Sequence, residues 1–262
     1  MADELARWQF WRAARAQALA APDSWLGLTG LFWLEEGANA VGADPAATVV
    51  LPDGPARLGK LDCAGATIVW RPAAGEAGPL RTDADGAPTV VEHGALAFFV
   101  IARDGRLAAR VRDRGWAAKR PFAGVDCFPY DPVWRIEAEW RPLDPPQTMD
   151  VPDVTGDAKP VCVERQAVFR VGGAEAALLP VRVGDAGVLF VFRDATSGRQ
   201  TYGAGRFLEA AAPAGGRIVL DFNFACNPPC AFTPFATCPL PPPENWLPFA
   251  VEVGELRHAD GH

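Results

Sequence analysis

No stretch of this chain approaches the ~18 consecutive apolar residues that a membrane-crossing helix needs. No face-long run of lysine and arginine exists, and the net charge is −7. Nucleic acid and anionic membrane are therefore poor partners. The opening MADELARWQFWRAARAQALAAP lacks the apolar centre of a secretory signal, since Asp3 and Glu4 begin it and arginines interrupt it. A soluble, cytoplasmic protein with reduced thiols is the expectation. No GxGxxG follows a strand pattern, and a P-loop and a GxSxG elbow are both missing, so no cofactor is expected. Histidine is scarce, limited to His93, His258 and His262. Repeats and low-complexity tracts are absent.

What the chain does have is punctuation. It carries 26 glycines and 25 prolines in 262 residues, with 49% apolar residues. That combination reads as many short strands around a sizeable core, in one large β domain or two small ones. Residues 3–20 read as a helix, capped by Asp3, with Leu5, Trp8, Trp11 (or Arg12) and Leu19 near helical spacing. Laying that stripe on a β core is the simplest use for it. Pro22 ends the helix, and the texture changes to short apolar runs. LAFFVIAR and RLAARVRD form a predicted hairpin through Asp104-Gly105, a pair suited to positive φ. PVWRIEAEWRP alternates strictly, with Trp134, Ile136, Ala138 and Trp140 on one face and charges on the other. LDPPQTMDVPDVTGDAKP reads as a linker or long loop. GVLFVFRD, TYGAGRFLEA and GRIVLDFN then read as a three-stranded meander with turns at 195–198 and 213–216, and PFAVEVGEL as a final strand. The expected class is all-β and antiparallel: a helix over 1–22, a sandwich-like unit over 24–115, and a twisted sheet or partial barrel over 120–262.

VGADPAATVVLPDG, residues 41–54, resembles the first strands of forkhead-associated domains, in which a Gly-Arg pair precedes an Asp-Ile-Val-Leu strand. The resemblance spans about residues 30–113 and implies a β-sandwich. The phosphate-gripping arginine of that family falls at Ala43, and its Ser-x-x-His is absent after Pro52. Phosphothreonine recognition would thus lack its main charge-assisted contact.

A second resemblance is longer. SWLGLTGLFWLEEGANAVGADP, HGALAFFVIARDGRLAARVRD, FPYDPVWRIEAEW, RDATSGRQTYGAGRFL and DFNFACNPPCAFTPFATCPLPPPENWLPFAVEVGE together resemble a bacterial family known as domain of unknown function 1684. The resemblance extends over nearly the whole chain and implies no particular chemistry. That family commonly has tyrosine where this chain has Cys226, which argues against an essential role for this thiol.

The segment from Asp221 to Phe249 is where a site is expected, because a long ordered proline loop in a compact domain is uncommon and often functional. Three chemistries are open to it. Cys226, Cys230 and Cys238 have C-x3-C-x7-C spacing, and a closed metal site would need a fourth ligand from Cys127, His93 or an acid. With Cys226 discounted, only Cys230 and Cys238 remain as metal ligands, so no metal is expected. Cys230 as a nucleophile lacks a neighbouring histidine or lysine to form thiolate. A polar pocket fits the residues best. Arg193 ends one strand, Tyr202 and Arg206 share a face of the next, Asp221, Asn223 and Asn227 leave the third, and Glu244 and Asn245 follow the proline run. If the site does acid–base chemistry, His93 or Asp221 must carry the proton. The leading expectation is a binding protein for a small polar molecule, with an enzyme kept open. The rival is a non-catalytic interaction module built on the forkhead-like unit. A pocket lined by the named residues favours the first, and an exposed apolar patch on the first unit favours the second.

Overall fold

Which face each strand buries follows from its alternation of apolar and polar residues. The structure, a computed structural model, describes residues 2–120 and 122–258. His262 therefore lies outside the described residues. The chain divides into two compact units, residues 18–122 and residues 1–17 with 123–262. Among the described residues no helix is long and apolar enough to cross a membrane.

Helix α1 (Ala2–Ala20) begins one residue before the expected cap, so Asp3 and Glu4 lie in its first turn and complement the helix dipole. Of the expected stripe, Trp8 and Leu19 are buried, whereas Leu5 is exposed. Nine strands follow in the unit over 18–122. They are β1 (Leu28–Trp33), β2 (Gly37–Gly42), β3 (Val49–Val50), β4 (Gly59–Ala64), β5 (Thr67–Pro72), β6 (Gly78–Leu80), β7 (Val91–His93), β8 (Leu96–Arg103) and β9 (Arg106–Asp113). They form a four-stranded sheet, β1-β9-β8-β7, and a five-stranded sheet, β3-β2-β4-β5-β6. Val41, Leu61 and Ile68 from the second meet Phe98, Val100 and Val111 from the first in one core. The unit is a sandwich in that sense. The β8–β9 hairpin turns at Asp104 and Gly105, with φ of 52° and 75°.

The second unit adds β10 (Arg135–Pro152), β11 (Ala158–Val171), β12 (Ala174–Leu178), β13 (Arg182–Gly184), β14 (Gly187–Phe192), β15 (Arg206–Ala210) and β16 (Arg217–Asp221). Two open sheets result, β12-β11-β10-β16 and β13-β14-β15, and neither closes into a barrel. Ala138, Phe169, Phe190, Leu208 and Leu220 share their core, with Phe222 in edge or tilted contact with Trp134, Phe169 and Phe192. The fold is all-β and antiparallel with an N-terminal helix, apart from one short parallel pairing of β2 with β3.

Four local expectations fail. Residues 143–160 are not a linker, because β10 runs through to Pro152 and pairs with β11, with Asp153–Asp157 as the turn. The prolines are tolerated because the register slips between Pro142 and Gln147, while Met149, Val151, Val163 and Leu179 bury a small core of their own. The meander is broken, since β16 leaves β15 and pairs with β10 through Arg135–Glu139. Residues 202–205 are a turn rather than strand, so Tyr202 and Arg206 do not share a face by alternation. The final stretch after Phe249 forms no strand, although Val251 and Val253 are buried in the core and Glu255 bridges to Cys127.

Hydrogen exchange separates hairpin from linker. Amides of 147–151, 158–159 and 161–163 are expected to exchange orders of magnitude more slowly than those of 153–157, and uniformly fast exchange across these segments would remove the β10–β11 extension.

Candidate functional site

A chain segment without ladder partners must satisfy its backbone groups some other way. The segment after β16 does so with buried side chains. Arg206 has no exposed surface, and its Nη2 donates to the Val251 carbonyl at 2.9 Å and to Asp194 Oδ1 at 3.3 Å. Asp194 also accepts from the Val251 amide at 2.7 Å and from Thr196 Oγ1 at 2.8 Å. Burial pushes the Arg206 guanidinium below the usual arginine range, and the Asp194 carboxylate opposes that shift. Asn245 donates to the carbonyls of Leu179 and Val191 at 2.8 and 2.9 Å and accepts from the Leu179 amide at 2.8 Å.

These residues are therefore committed to the scaffold. Arg193 stacks on Trp246 with its guanidinium 5.1 Å from the ring, and Glu244 is exposed on a 3-10 turn, Pro243–Asn245. Tyr202 donates to the Cys230 carbonyl at 3.0 Å and packs with Cys230, Ala236 and Cys238. Burial raises its pKa. The Cys230 amide donates to Cys238 Sγ at 3.3 Å, and the hydrogen bond with Cys238 lowers the Cys230 thiol's pKa. Gly205 has φ of 91°, and a Cβ there would meet the Phe192 carbonyl oxygen at 2.5 Å. The close approach that a strand glycine hints at is thus another backbone. Among the described residues, no three histidine, cysteine or acidic side chains gather as a metal site. His93 is exposed on β7 in the unit over 18–122.

Tyr202 borders a separate pocket of about 300 Å³ with Gly198 and Arg257, and two of the expected residues share a larger one. Asp221 and Asn227 line a cleft of about 920 Å³ within the second unit. One wall is α1, through Arg7, Phe10, Trp11, Ala14 and Arg15. These positions fall three and four apart, on one helix face. The floor is the outward face of β14, β15 and β16, through Leu189, Phe207, Glu209 and Val219. Arg135 on β10 and Arg182 on the edge strand β13 complete the rim.

Asp221 accepts from Arg7 Nη2 at 3.1 Å and from Asn223 Nδ2 at 3.0 Å, and Arg135 Nε lies 3.9 Å away. Asn223 is itself clamped to the backbone of Asp131, and its carbonyl accepts from Trp8 Nε1 at 3.0 Å. Deeper along the helix, Arg15 pairs with Glu255 through two nitrogens and donates to the Asn227 carbonyl at 2.8 Å. The Asn227 amide donates to Glu255 at 2.6 Å and its Nδ2 to the Leu256 carbonyl at 2.7 Å, while its Oδ1 is buried without a partner. Cys226 lines the cleft, but burial pushes its thiol up to about 12. The helix wall was missed in the sequence, because its tryptophans suggested the stripe 5/8/11/19 instead of 7/10/11/14/15.

Residues 120–256, over half of the chain, match the family described as protein of unknown function (DUF1684). The chain belongs to this family. The match takes in the three C-terminal motifs and most of the cleft, while the motifs before residue 120 and the α1 wall lie outside it. Among solved structures, the chain is similar to the uncharacterized protein from gene locus rrnAC0354 of Haloarcula marismortui, solved by NMR in solution. Identity is 32%, over 53% of this chain and 79% of that one, with a TM-score of 0.43. No curated protein matches.

Two predictions follow the geometry. Asp194→Ala is expected to cost about 3–5 kcal/mol by leaving Arg206 buried and unpaired, read as a shift of the urea midpoint; a change under about 1 kcal/mol would deny it that role. At pH 8 a thiol of pKa about 12 is thiolate in roughly one molecule in 10⁴. Iodoacetamide is therefore expected to modify exposed Cys162 first, and Cys226 only as pH rises toward 12. Mass mapping showing early modification of Cys226 would contradict this.

Proposed function

We propose that the second unit is a small-molecule-binding module whose ligand occupies the cleft between α1 and the outward face of β14–β16. One observation carries the reading: Asp221 and Asn227, two of the polar residues expected at a site, line a cleft of about 920 Å³ beside aromatic side chains. That volume is in the range of about 300–1,000 Å³ typical of ligand sites. Asn223 supports the cleft by holding Asp221, Arg206 and Asn245 hold the loop, and Arg193, Tyr202, Glu244 and His93 lie outside the cleft lining. Any acid–base step there would fall to Asp221. The remaining parts of the reading are a soluble cytoplasmic protein without nucleic-acid or membrane partners.

Little favours the interaction module. Of the large apolar side chains that are exposed among the described residues, Val90 alone belongs to the unit over 18–122. The forkhead-associated likeness rests on residues 41–54 without the phosphate-binding arginine.

A thermal-shift screen with a metabolite set tests the binding reading. Val219→Trp fills the floor and Ala14→Trp narrows the cleft from the helix wall. Ligands that raise the melting temperature of the wild type are expected to lose that effect in both variants. Shifts that survive both would place binding elsewhere.

A further inference from the structure

We propose that the cleft selects an amphipathic organic anion, its apolar body lying over Leu189 and Val219 against Phe10 and Trp11, and its anionic group held by Arg7 and Arg135. The inference rests on the cleft being the binding site and adds what that site discriminates.

The chain as a whole is acidic, with a net charge of −7. The cleft reverses that sign locally, with four arginines and two carboxylates in its lining. Arg15 is committed to Glu255. The other three arginines stay accessible. Arg7 and Arg135 have side chains 58% and 37% exposed and point at the same oxygen of Asp221. Arg135 also approaches Glu4 at 3.3 Å. Arg182 is exposed, and its side chain has no hydrogen bond or ion pair among the described residues. Glu209 is the opposing charge on the floor.

Asp221 can release Arg7 without being orphaned, because Asn223 holds its other oxygen. A guanidinium that leaves one carboxylate for another keeps its charge-assisted hydrogen bonds. A neutral or cationic ligand offers no such exchange. Phe10 stands 77% exposed at the cleft wall, opposite Leu189 and Val219 on the floor. Covering it from water is favourable for any ligand with a hydrocarbon body.

Octanoate, octanol and octylamine share one chain and differ in head charge. Isothermal titration calorimetry at low and high salt compares them on the full chain. Octanoate is expected to bind at least about tenfold more tightly than octanol, with octylamine weaker still, and added salt is expected to narrow the gap. Arg7→Ala and Arg135→Ala are each expected to weaken octanoate several-fold and leave octanol unchanged. Arg135→Ala removes only longer ion pairs at the rim, at 3.3 and 3.9 Å, so it decides the matter if Arg7→Ala fails to fold. Equal binding of octanoate and octanol overturns anion selection and leaves the cleft reading intact. No octanoate binding overturns the amphiphile class, and the metabolite screen still judges the cleft. Octanoate binding that persists in Val219→Trp overturns both.

Discussion

The Arg206–Asp194 pair, with neither side chain exposed, is the interaction on which the second unit's irregular half depends. Past β16 the chain abandons regular pairing for three single 3-10 turns and a proline run. Its carbonyls and amides still have to be satisfied in a core that excludes water. Arg206 donates to two carbonyls, Asp194 accepts from the Val251 amide, and Asn245 ties the loop to β14 and to Leu179 just past β12. An ion pair of this kind adds little net stability beside an apolar equivalent, but either half alone would be very costly. Its value is that it fixes where Val251 and Val253 enter the core beneath Phe222.

That division of labour explains why most of the polar residues near the proline loop do not form a pocket. Arg206, Asp194, Asn223 and Asn245 are consumed in holding the loop. The exceptions lie at the seam where the loop meets α1. There Asp221 and Asn227 are satisfied partly by arginines from the helix, and those arginines remain partly in solvent. The helix is thus fastened at intervals, by Trp8 to the Asn223 carbonyl, by Arg7 to Asp221 and by Arg15 to Glu255. The cleft is the space between these fastenings.

Legibility from sequence followed the strength of local constraints. The β8–β9 hairpin was readable because Asp104-Gly105 demands a positive-φ turn and both flanks are apolar. The face of β10 was readable from strict alternation, which Ala138 and Trp140 obey by burial. Residues 143–160 were misread because proline removes backbone donors, and a sequence does not reveal that a slipped register will absorb the loss. β16 was assigned to β15 on chain adjacency, but its pairing with β10 is set by a core that closes only in three dimensions. The site was half readable for a similar reason. Residue type announces Asp221, Asn223, Asn227 and Arg206 as polar groups near an ordered loop. Which of them face a cleft depends on partners up to 240 residues away, such as Arg15 for Glu255.

The helix wall shows the same limit from the other side. A stripe of tryptophan and leucine on an N-terminal helix predicts a sealed apolar seam, and Trp8 does bury itself. Yet the neighbouring face, from Arg7 to Arg15, mixes two arginines with Phe10, Trp11 and Ala14. A face of that composition cannot be buried without stranding charge, and cannot be fully exposed without wetting two aromatic rings. A half-open cleft resolves the conflict: the guanidiniums reach carboxylates at its rim and the rings face an apolar floor. The same compromise leaves unmet demand for both a counter-charge and apolar cover. One molecule with an anionic head and a hydrocarbon body meets both at once.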